Sequence, residues 1–496
     1  MWWAWLFACA PSAADLAWVR GGTLVVRADG TSDGSPLAVR DWRPGEWVDG
    51  QAAPVVADCV PLFTVPLDPV VARAVAAGGD APEVALAFSP DGRWLAIGSA
   101  TGAVHLVDGW TGEERARTQL AEAAVRQVVW SADGRWLWVG EQSPDAHVRR
   151  LAVDGLREVG RFRAADALGG GVWPSWDDPW GIYSLPAITG LVADGDGVIA
   201  VAARGWSEEG RRRNAAMVWR LDASAQVAAA AFAQPVDAVL PAVAWDAERL
   251  AVAVRRSADG PPQSAASQST ALVLDRRTLA PRGQVVLPAW STAFPQVFVG
   301  EAIAIDPRGL WLGTADGRVV FADPDTGAVR AVATLGVPVD AAGAPLAAPV
   351  GWLAPWGDAL AVVTTRAFVP LGSERPEARP VSLHPAENSV WALDPATLAA
   401  RWQWQGPHQL QGLAVRGGAL AVGAGAREGD RRRDLFGTVV FDAARGPDDR
   451  VAATCGAAAP VFFRFAFAAD GRIAAAEVPF RTEDGVAGAY RVRVWR

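Results

Sequence analysis

Lysine is missing from this sequence, and all 46 basic side chains are arginine. Cysteine is scarce too, with three in 496 residues, which excludes a disulfide-stapled scaffold. The four histidines, His105, His147, His384 and His408, lie on different stretches of chain with no ligand spacing between them. That argues against a transition-metal centre. No apolar run reaches the ~18–20 residues that a membrane-crossing helix needs. Acidic residues outnumber basic ones, 54 to 46, leaving a net charge of −8 and a pI near 5.2. Neutralising phosphates requires a basic surface, so bulk nucleic-acid binding is not expected. No G-x-S-x-G elbow, phosphate-cradling loop or dinucleotide fingerprint occurs, so no catalytic residue and no cofactor are assigned.

What is present is a chain 51% hydrophobic and 20% charged, a balance that disordered segments lack. The abundance of Ala, Gly, Pro and Trp, with arginine in place of lysine, fits the codons of a GC-rich genome. Arginine enrichment therefore carries less functional weight than its count suggests. Residues 1–14 join a short apolar run to small residues, as the h-region and cleavage site of a secretory signal do, with Asp15 after the cut. Leu6-Phe7-Ala8-Cys9 is also similar to a lipoprotein signal that would place a lipid on Cys9. No basic residue precedes the run, and a misplaced start or a buried first strand are the competing explanations. The expectation carried forward is export, whether periplasmic, lipid-anchored or secreted, with a cytoplasmic location as the alternative. Any membrane contact would run through the lipid alone. Cys59 and Cys455 can pair in an oxidising compartment, which would stabilise the fold by roughly 4–5 kcal/mol in the chain-entropy model. Two buried free thiols are the alternative.

Repeats organise the rest of the chain. Residues 84–112 read VALAFSPDGRWLAIGSATGAVHLVDGWTG, and 125–140 repeat the opening as VRQVVWSADGRWLWVG. Residues 302–327 and 461–476 follow the same plan. Each has a short β-type run, a D-G or R-G turn and a second run, the mark of an antiparallel hairpin. A third run ends in an aspartate at Asp108, Asp222, Asp275, Asp323, Asp394 and Asp442. Asp suits that place because its carboxylate can accept from the backbone N–H groups of the following turn. With strands lettered A to D, A strands are expected near residues 16, 85, 126, 189, 242, 302, 350, 411 and 462. The last unit ends after its third strand, so a strand from the N-terminus is expected to complete it. The fold class is all-β: residues 15–496 form a single closed β-propeller of four-stranded antiparallel blades, eight expected within a range of seven to nine.

These segments resemble the WD40 and quinoprotein-like repeat superfamilies. The S-P-D-G-R-W-L-A turn is WD40-like, and the L-D-P-x-T ending of the third strand is quinoprotein-like. The Gly-His and Trp-Asp dipeptides of WD40 repeats are largely missing, so no subfamily is assigned. The resemblance implies a propeller and leaves function open, because these families host scaffolds, assembly factors and enzymes alike. A quinone-dependent enzyme would hold its cofactor in the central channel, and no residue pattern here would clamp one.

Length is distributed unevenly. A–B and C–D turns are nearly all short. Long B–C connections are expected at 204–215, 255–270, 366–388, 426–437 and 481–488, and long D–A connections at 63–83 and 166–187. All seven open on one face, and loops on a rigid frame commonly carry binding. Arginine stands at or just beyond the end of strand B in six units, as Arg27, Arg204, Arg255, Arg366, Arg427 and Arg481. Guanidinium groups converging on a mouth can hold carboxylate, phosphate or sulfate. The triplets Arg211-Arg212-Arg213 and Arg431-Arg432-Arg433 are partly neutralised by Glu208, Glu209, Glu428, Asp430 and Asp434. The loop at 169–183 carries Trp173, Trp176, Trp180 and Tyr183, aromatic anchors for a partner or stacking surfaces for a sugar. A loop folded back on itself would bury the same rings. Acidic turns at 29–34 and 194–197 lack full Ca²⁺-loop spacing and read as hairpin turns.

The functional expectation is a monomeric, non-enzymatic scaffold whose long-loop face binds a protein partner. A binder of an anionic small molecule or glycan is the first alternative. A propeller enzyme with a site in the channel is the second.

Overall fold

The computed structural model describes residues 60–68, 84–120, 123–171, 185–208, 211–236, 238–239, 242–256, 270–287, 299–314, 317–335, 348–365, 368–370, 378–380, 386, 388–406, 409–425, 437–445, 451–456, 461–478, 480–482, 485–487 and 489–496. Among these residues the strands repeat an antiparallel A-B-C-D order eight times, numbered here as sheets 1 to 8; a bridge joins the second and third sets into one eight-stranded sheet, and two short two-stranded pairs stand apart. Sheet 1 runs Ala85–Phe88, Trp94–Gly98, Ala103–Asp108 and Glu114–Gln119. Sheet 2 runs Ala124–Trp130, Trp136–Gln142, His147–Ala152 and Arg157–Arg163. Sheets 3 to 7 open with Ala187–Asp194, Val243–Trp245, Val299–Asp306, Val350–Trp356 and Gln409–Arg416. Sheet 8 has Val461–Phe467, Ile473–Glu477 and Arg491–Trp495. Its fourth strand is Phe63–Pro66, antiparallel to the last strand with Phe63 opposite Val494.

Eight of the nine expected A strands are therefore found, and the first described strand completes the final sheet. The ninth, near residue 16, lies outside the described residues. One expectation is corrected: residues 63–66, read as the start of a long D–A connection, form that completing strand. The completed sheet needs an edge partner, and F-T-V-P alternates buried and exposed residues as an outer strand should.

Burial follows strand position. Strands B and C lie between neighbouring sheets and are buried on both faces, as in Gly309–Thr314 and Ser389–Leu393. Outer D strands such as Val329–Thr334 keep the half-exposed alternation. Apolar clusters bridge each sheet to the next. One joins Phe88, Leu95 and Ile97 of sheet 1 to Ala466, Ala474 and Val492 of sheet 8, so the first and last of the described sheets meet in a single core.

Polar side chains tie the seams by donating to a neighbour's backbone carbonyl. Trp130 Nε1 reaches Ala87 O at 2.9 Å, Trp311 Nε1 reaches Pro395 O at 2.8 Å, and Trp356 Nε1 reaches Gly418 O at 2.6 Å. Arg276 donates to Ala193 O at 2.6 Å, and Arg249 to Asp306 O at 3.0 Å. At the closing seam Arg472 is fully buried; it donates to Gly92 O at 2.6 Å and to Gly109 O, pairs with Asp470 at 2.8 Å, and stacks 3.8 Å from the Trp110 ring. All six C-strand aspartates accept from turn N–H groups, as expected; Asp394, for example, takes Ala396 N at 3.0 Å and Thr397 N at 2.8 Å.

Candidate functional site on the long-loop face

The ends of the B strands and the starts of the A strands share one face. In the backbone this shows where Ala187, opening sheet 3, bridges to Gln142, closing the B strand of sheet 2. Among the described residues, three of the five long B–C connections carry hairpin pairing. In sheet 3 the B and C strands extend as Gly197–Glu208 and Arg211–Leu221, pairing Arg204 with Ala215, Trp206 with Arg213 and Glu208 with Arg211. Phe368–Pro370 pairs with Ala378–Pro380 in sheet 6, and Phe480–Thr482 with Gly485–Ala487 in sheet 8. In sheet 4, Arg255 and Arg256 pair with Val239 and Ala238. Pairing of this kind turns an insertion into a projecting ribbon whose backbone donors and acceptors satisfy one another.

The expected site residues are reached unevenly. Arg204 is the one arginine of the six whose side chain is described. Its guanidinium lies 3.4 Å from Leu168 O and 5.4 Å from the Trp206 ring, and burial lowers its pKa. A Cβ on Gly169, at φ +79°, would sit 2.5 Å from this guanidinium, so the glycine makes room for it. The structure thus places Arg204 at the junction of the sheet 3 ribbon with the short helix Ala165–Leu168 of sheet 2. Arg255 and Arg481 are placed by backbone pairing alone. Arg27, Arg366, Arg427, Trp173, Trp176, Trp180, Tyr183, Cys9 and Cys59 lie outside the described residues, as do His384 and His408. Cys455 is buried and disulfide-bonded.

The most highly organised polar group on this face was missed by sequence reasoning. Glu141, 1% exposed, is the next-to-last residue of the B strand of sheet 2. Its Oε1 accepts from Ser143 Oγ at 2.8 Å, His147 N at 3.1 Å and His147 Nδ1 at 2.7 Å. Its Oε2 accepts from Arg149 Nε at 3.0 Å, and Arg149 continues to Glu158 at 2.5 Å. Burial pushes the carboxyl upward, but the His147 and Arg149 bonds and the Arg149 charge overcome it and bring the pKa to about 2. Ser143 Oγ in turn accepts from Ala146 N at 2.9 Å, so the carboxylate organises the whole 143–147 turn.

That turn seats both ends of the aromatic connection. Ala164 N donates to Ala146 O at 3.2 Å, Ala165 N to Asp145 O at 3.1 Å and Gly171 N to Pro144 O at 3.2 Å on one side; Ser143 N donates to Pro186 O at 3.4 Å on the other. Arg163 adds ion pairs to Asp145, at 2.7 Å, and to Asp166.

A column in the repeat carries the signal. Ser99, Glu141, Thr314, Thr364 and Glu477 occupy the same place at the end of strand B. Ser99, Thr314 and Thr364 accept from the first C-strand N–H at 3.0–3.1 Å, as Glu141 does. Glu477, 1% exposed, instead takes Arg491 at 2.8 and 3.0 Å and Arg493 at 2.8 Å. The residue before three of these is glycine. A Cβ on Gly140 would sit 2.6 Å from Ile188, and one on Gly98 or Gly313 would overlap Val125 or Val350 of the next A strand.

His105 sits against Glu114 at 2.6 Å in sheet 1, and Asp194 opens a hairpin turn and pairs with Arg220 at 2.6 Å. Among the described residues no group of His, Cys, Asp and Glu could hold a metal, and no helix is long and apolar enough to cross a membrane.

No protein-family model and no curated protein matches the chain. Solved structures do. The C-terminal WD40 domain of Sif2 is similar at TM-score 0.50 and 11% identity, over 89% of this chain and 99% of that one. Sqt1 of Saccharomyces cerevisiae is similar at 0.50 and 10%, over 89% and 98%. BamB from Moraxella catarrhalis is similar at 0.49 and 15%, over 88% and 99%. The likeness to Sif2 and Sqt1 is one of fold: this chain folds as a β-propeller.

Proposed function

We propose that this propeller is a non-enzymatic scaffold of eight blades whose long-loop face binds a protein partner. The observation that carries the reading is the set of β-ribbons on that face, in sheets 3, 6 and 8. Drifting surface insertions have no reason to prefer one face, and a paired ribbon loses less conformational entropy on binding than a free loop. The sequence of the connection rooted on the 143–147 turn adds Trp173, Trp176, Trp180 and Tyr183, residue types that dominate interface energetics. The buried polar groups described on the face hold its own loops in place.

Deleting 169–181 tests this. The expected result is loss of a stoichiometric complex in crosslinking affinity purification from the native host, with the thermal transition kept. A complex that survives the deletion overturns the reading. The same purification reads the N-terminal peptide, for which we propose export with cleavage near Ala14 or lipid on Cys9.

Arg204 beside Trp206 favours a second reading, an anionic small-molecule or glycan ligand. It requires stabilisation by a phosphate- or carboxylate-bearing ligand that weakens with salt and vanishes in Arg255→Ala, Arg366→Ala.

A further inference from the structure

Valine is the second residue of strand C in sheets 1, 2, 5, 6 and 8, as Val104, Val148, Val319, Val390 and Val492, each fully buried. Sheet 7 has Thr438 in that place, in its C strand Gly437–Asp442, and it too is fully buried. Among the described residues its Oγ1 finds no hydrogen-bond partner. An apolar side chain of the same shape serves the other sheets, so this hydroxyl adds a desolvation cost that packing does not require.

A second such atom lies in the same row. Thr438 stands opposite Gly423, and Gly423 opposite Gln411 on strand A. Directly opposed residues point to one face of a sheet, so the hydroxyl and the amide share a side of sheet 7. Gln411 is 2% exposed, and its Oε1 likewise finds no partner among the described residues. In sheet 2 the glutamine at the same register position, Gln127 opposite Gly140, does find one: its Nε2 donates to Thr189 O of sheet 3 at 3.0 Å. The row of sheet 7 ends in Cys455, opposite Thr438, and Cys455 packs with Ala475 and Trp495 of sheet 8. The row therefore looks into the seam between sheets 7 and 8. Neighbouring strands are ~4.8 Å apart, so about 10 Å separates the Gln411 and Thr438 backbones, with only a glycine between them.

Buried polar atoms in folded proteins are nearly always satisfied, and a buried water needs a polar site with several partners. We propose that sheet 7 holds an ordered water over Gly423, donating to Gln411 Oε1 and hydrogen-bonded to Thr438 Oγ1. Two oxygens could also attract a hard cation. Side chains alternate along a strand, so Arg491 and Arg493 share the face of Trp495, and their guanidinium groups on Glu477 disfavour a cation in this seam. A water carries no charge, supplies the donor that the amide oxygen lacks, and fits where a side chain is missing.

Thr438→Val in the full chain, followed by differential scanning calorimetry, reads the sign. With the water in place, valine removes one of its partners and lowers the melting temperature by about 1–2 °C. An unchanged or higher melting temperature would mean that the hydroxyl was unsatisfied, and it overturns the proposal. Gln411→Leu should give a similar fall, and the double variant should lose less than the two falls combined, because both report one water; additive falls overturn it. A crystal structure of the parent separates the water from a direct bond. Density within about 3 Å of both oxygens is expected; Thr438 Oγ1 bonded straight to Gln411 Oε1 refutes the water.

Discussion

Substituting Glu141 by glutamine probes the device that seats the aromatic connection. The isosteric amide keeps the volume but loses the charge facing Arg149 and can no longer accept at both oxygens. The size follows from the carboxyl's shift, from an ordinary 4.5 to about 2 in a site buried enough for solvent screening to be small. At ~1.4 kcal/mol per pKa unit this is on the order of 3 kcal/mol. The pKa is depressed on folding, so the contribution is complete above pH ~4.5 and is lost as pH falls toward 2. Unfolding 496 residues at ~2.1 cal/mol/K each gives an entropy near 1 kcal/mol/K, so the melting temperature should fall by about 3 °C at pH 7. Differential scanning calorimetry of both proteins from pH 7 down to pH 3 reads this directly. The gap should stay constant to about pH 5 and narrow below it. Hydrogen exchange should quicken at the amides of 145–147 and 164–171, which the turn holds, and stay unchanged in sheets 5 and 6. A variant that melts within 0.5 °C of the parent, or a gap indifferent to pH, would refute the reasoning.

Other consequences are open to measurement. Arg472→Met should lower stability by about 3 kcal/mol in urea denaturation, since it strands Gly92 O and Gly109 O in the closing seam and leaves Asp470 without its cation; a loss below 1 kcal/mol would mean the seam is held by apolar packing. Gly98→Ala should cost about 1–3 kcal/mol by forcing a Cβ into Val125, and Val125→Ala should recover part of that loss in a double-mutant cycle; independent, additive losses would deny the contact. Trp311→Phe, which keeps the packing but removes the bond to Pro395 O, should cost about 1–2 kcal/mol by the same denaturation. Non-reducing peptide mapping should find Cys455 in a disulfide, for which we propose Cys59 as partner, and a free thiol at Cys455 would refute the pairing.

Much of the architecture was legible because it is written locally and repeatedly. A period-2 run, a D-G or R-G turn and a C-strand aspartate each act within a few residues, so the eight described A-strand positions and all six aspartate caps followed from the sequence. The closing strand was harder. An N-terminal completion was expected, but Phe63–Pro66 looked like connection because four residues ending in proline carry a weak strand signal. The insertions looked like loops for a related reason. Arg-Gly-Trp-Ser-Glu-Glu-Gly-Arg-Arg-Arg has no apolar alternation, yet the sheet 3 hairpin runs to Glu208 and Arg211 because the ladder below has already fixed its register.

The candidate site was half legible. Its face could be read from where the length accumulates. Its organising group could not, although Ser99, Glu141, Thr314, Thr364 and Glu477 stand in one column of the repeat. Glu141 finds Arg149 eight residues away only because Gly140 pairs with Val148 and turns both side chains toward the same pocket. Tryptophan abundance looked like codon bias, whereas Trp130, Trp311 and Trp356 each donate across a seam.

The sequence by itself determined the repeat unit, its turns and the face on which the insertions open, since strand periodicity and turn chemistry are short-range properties of adjacent residues. Tertiary structure decided how the ring closes, which charges become buried pairs and which arginine is held beneath a glycine. Those depend on residues such as Gly92, Gly109 and Arg472, more than 350 positions apart in the chain, meeting only when the last sheet packs on the first.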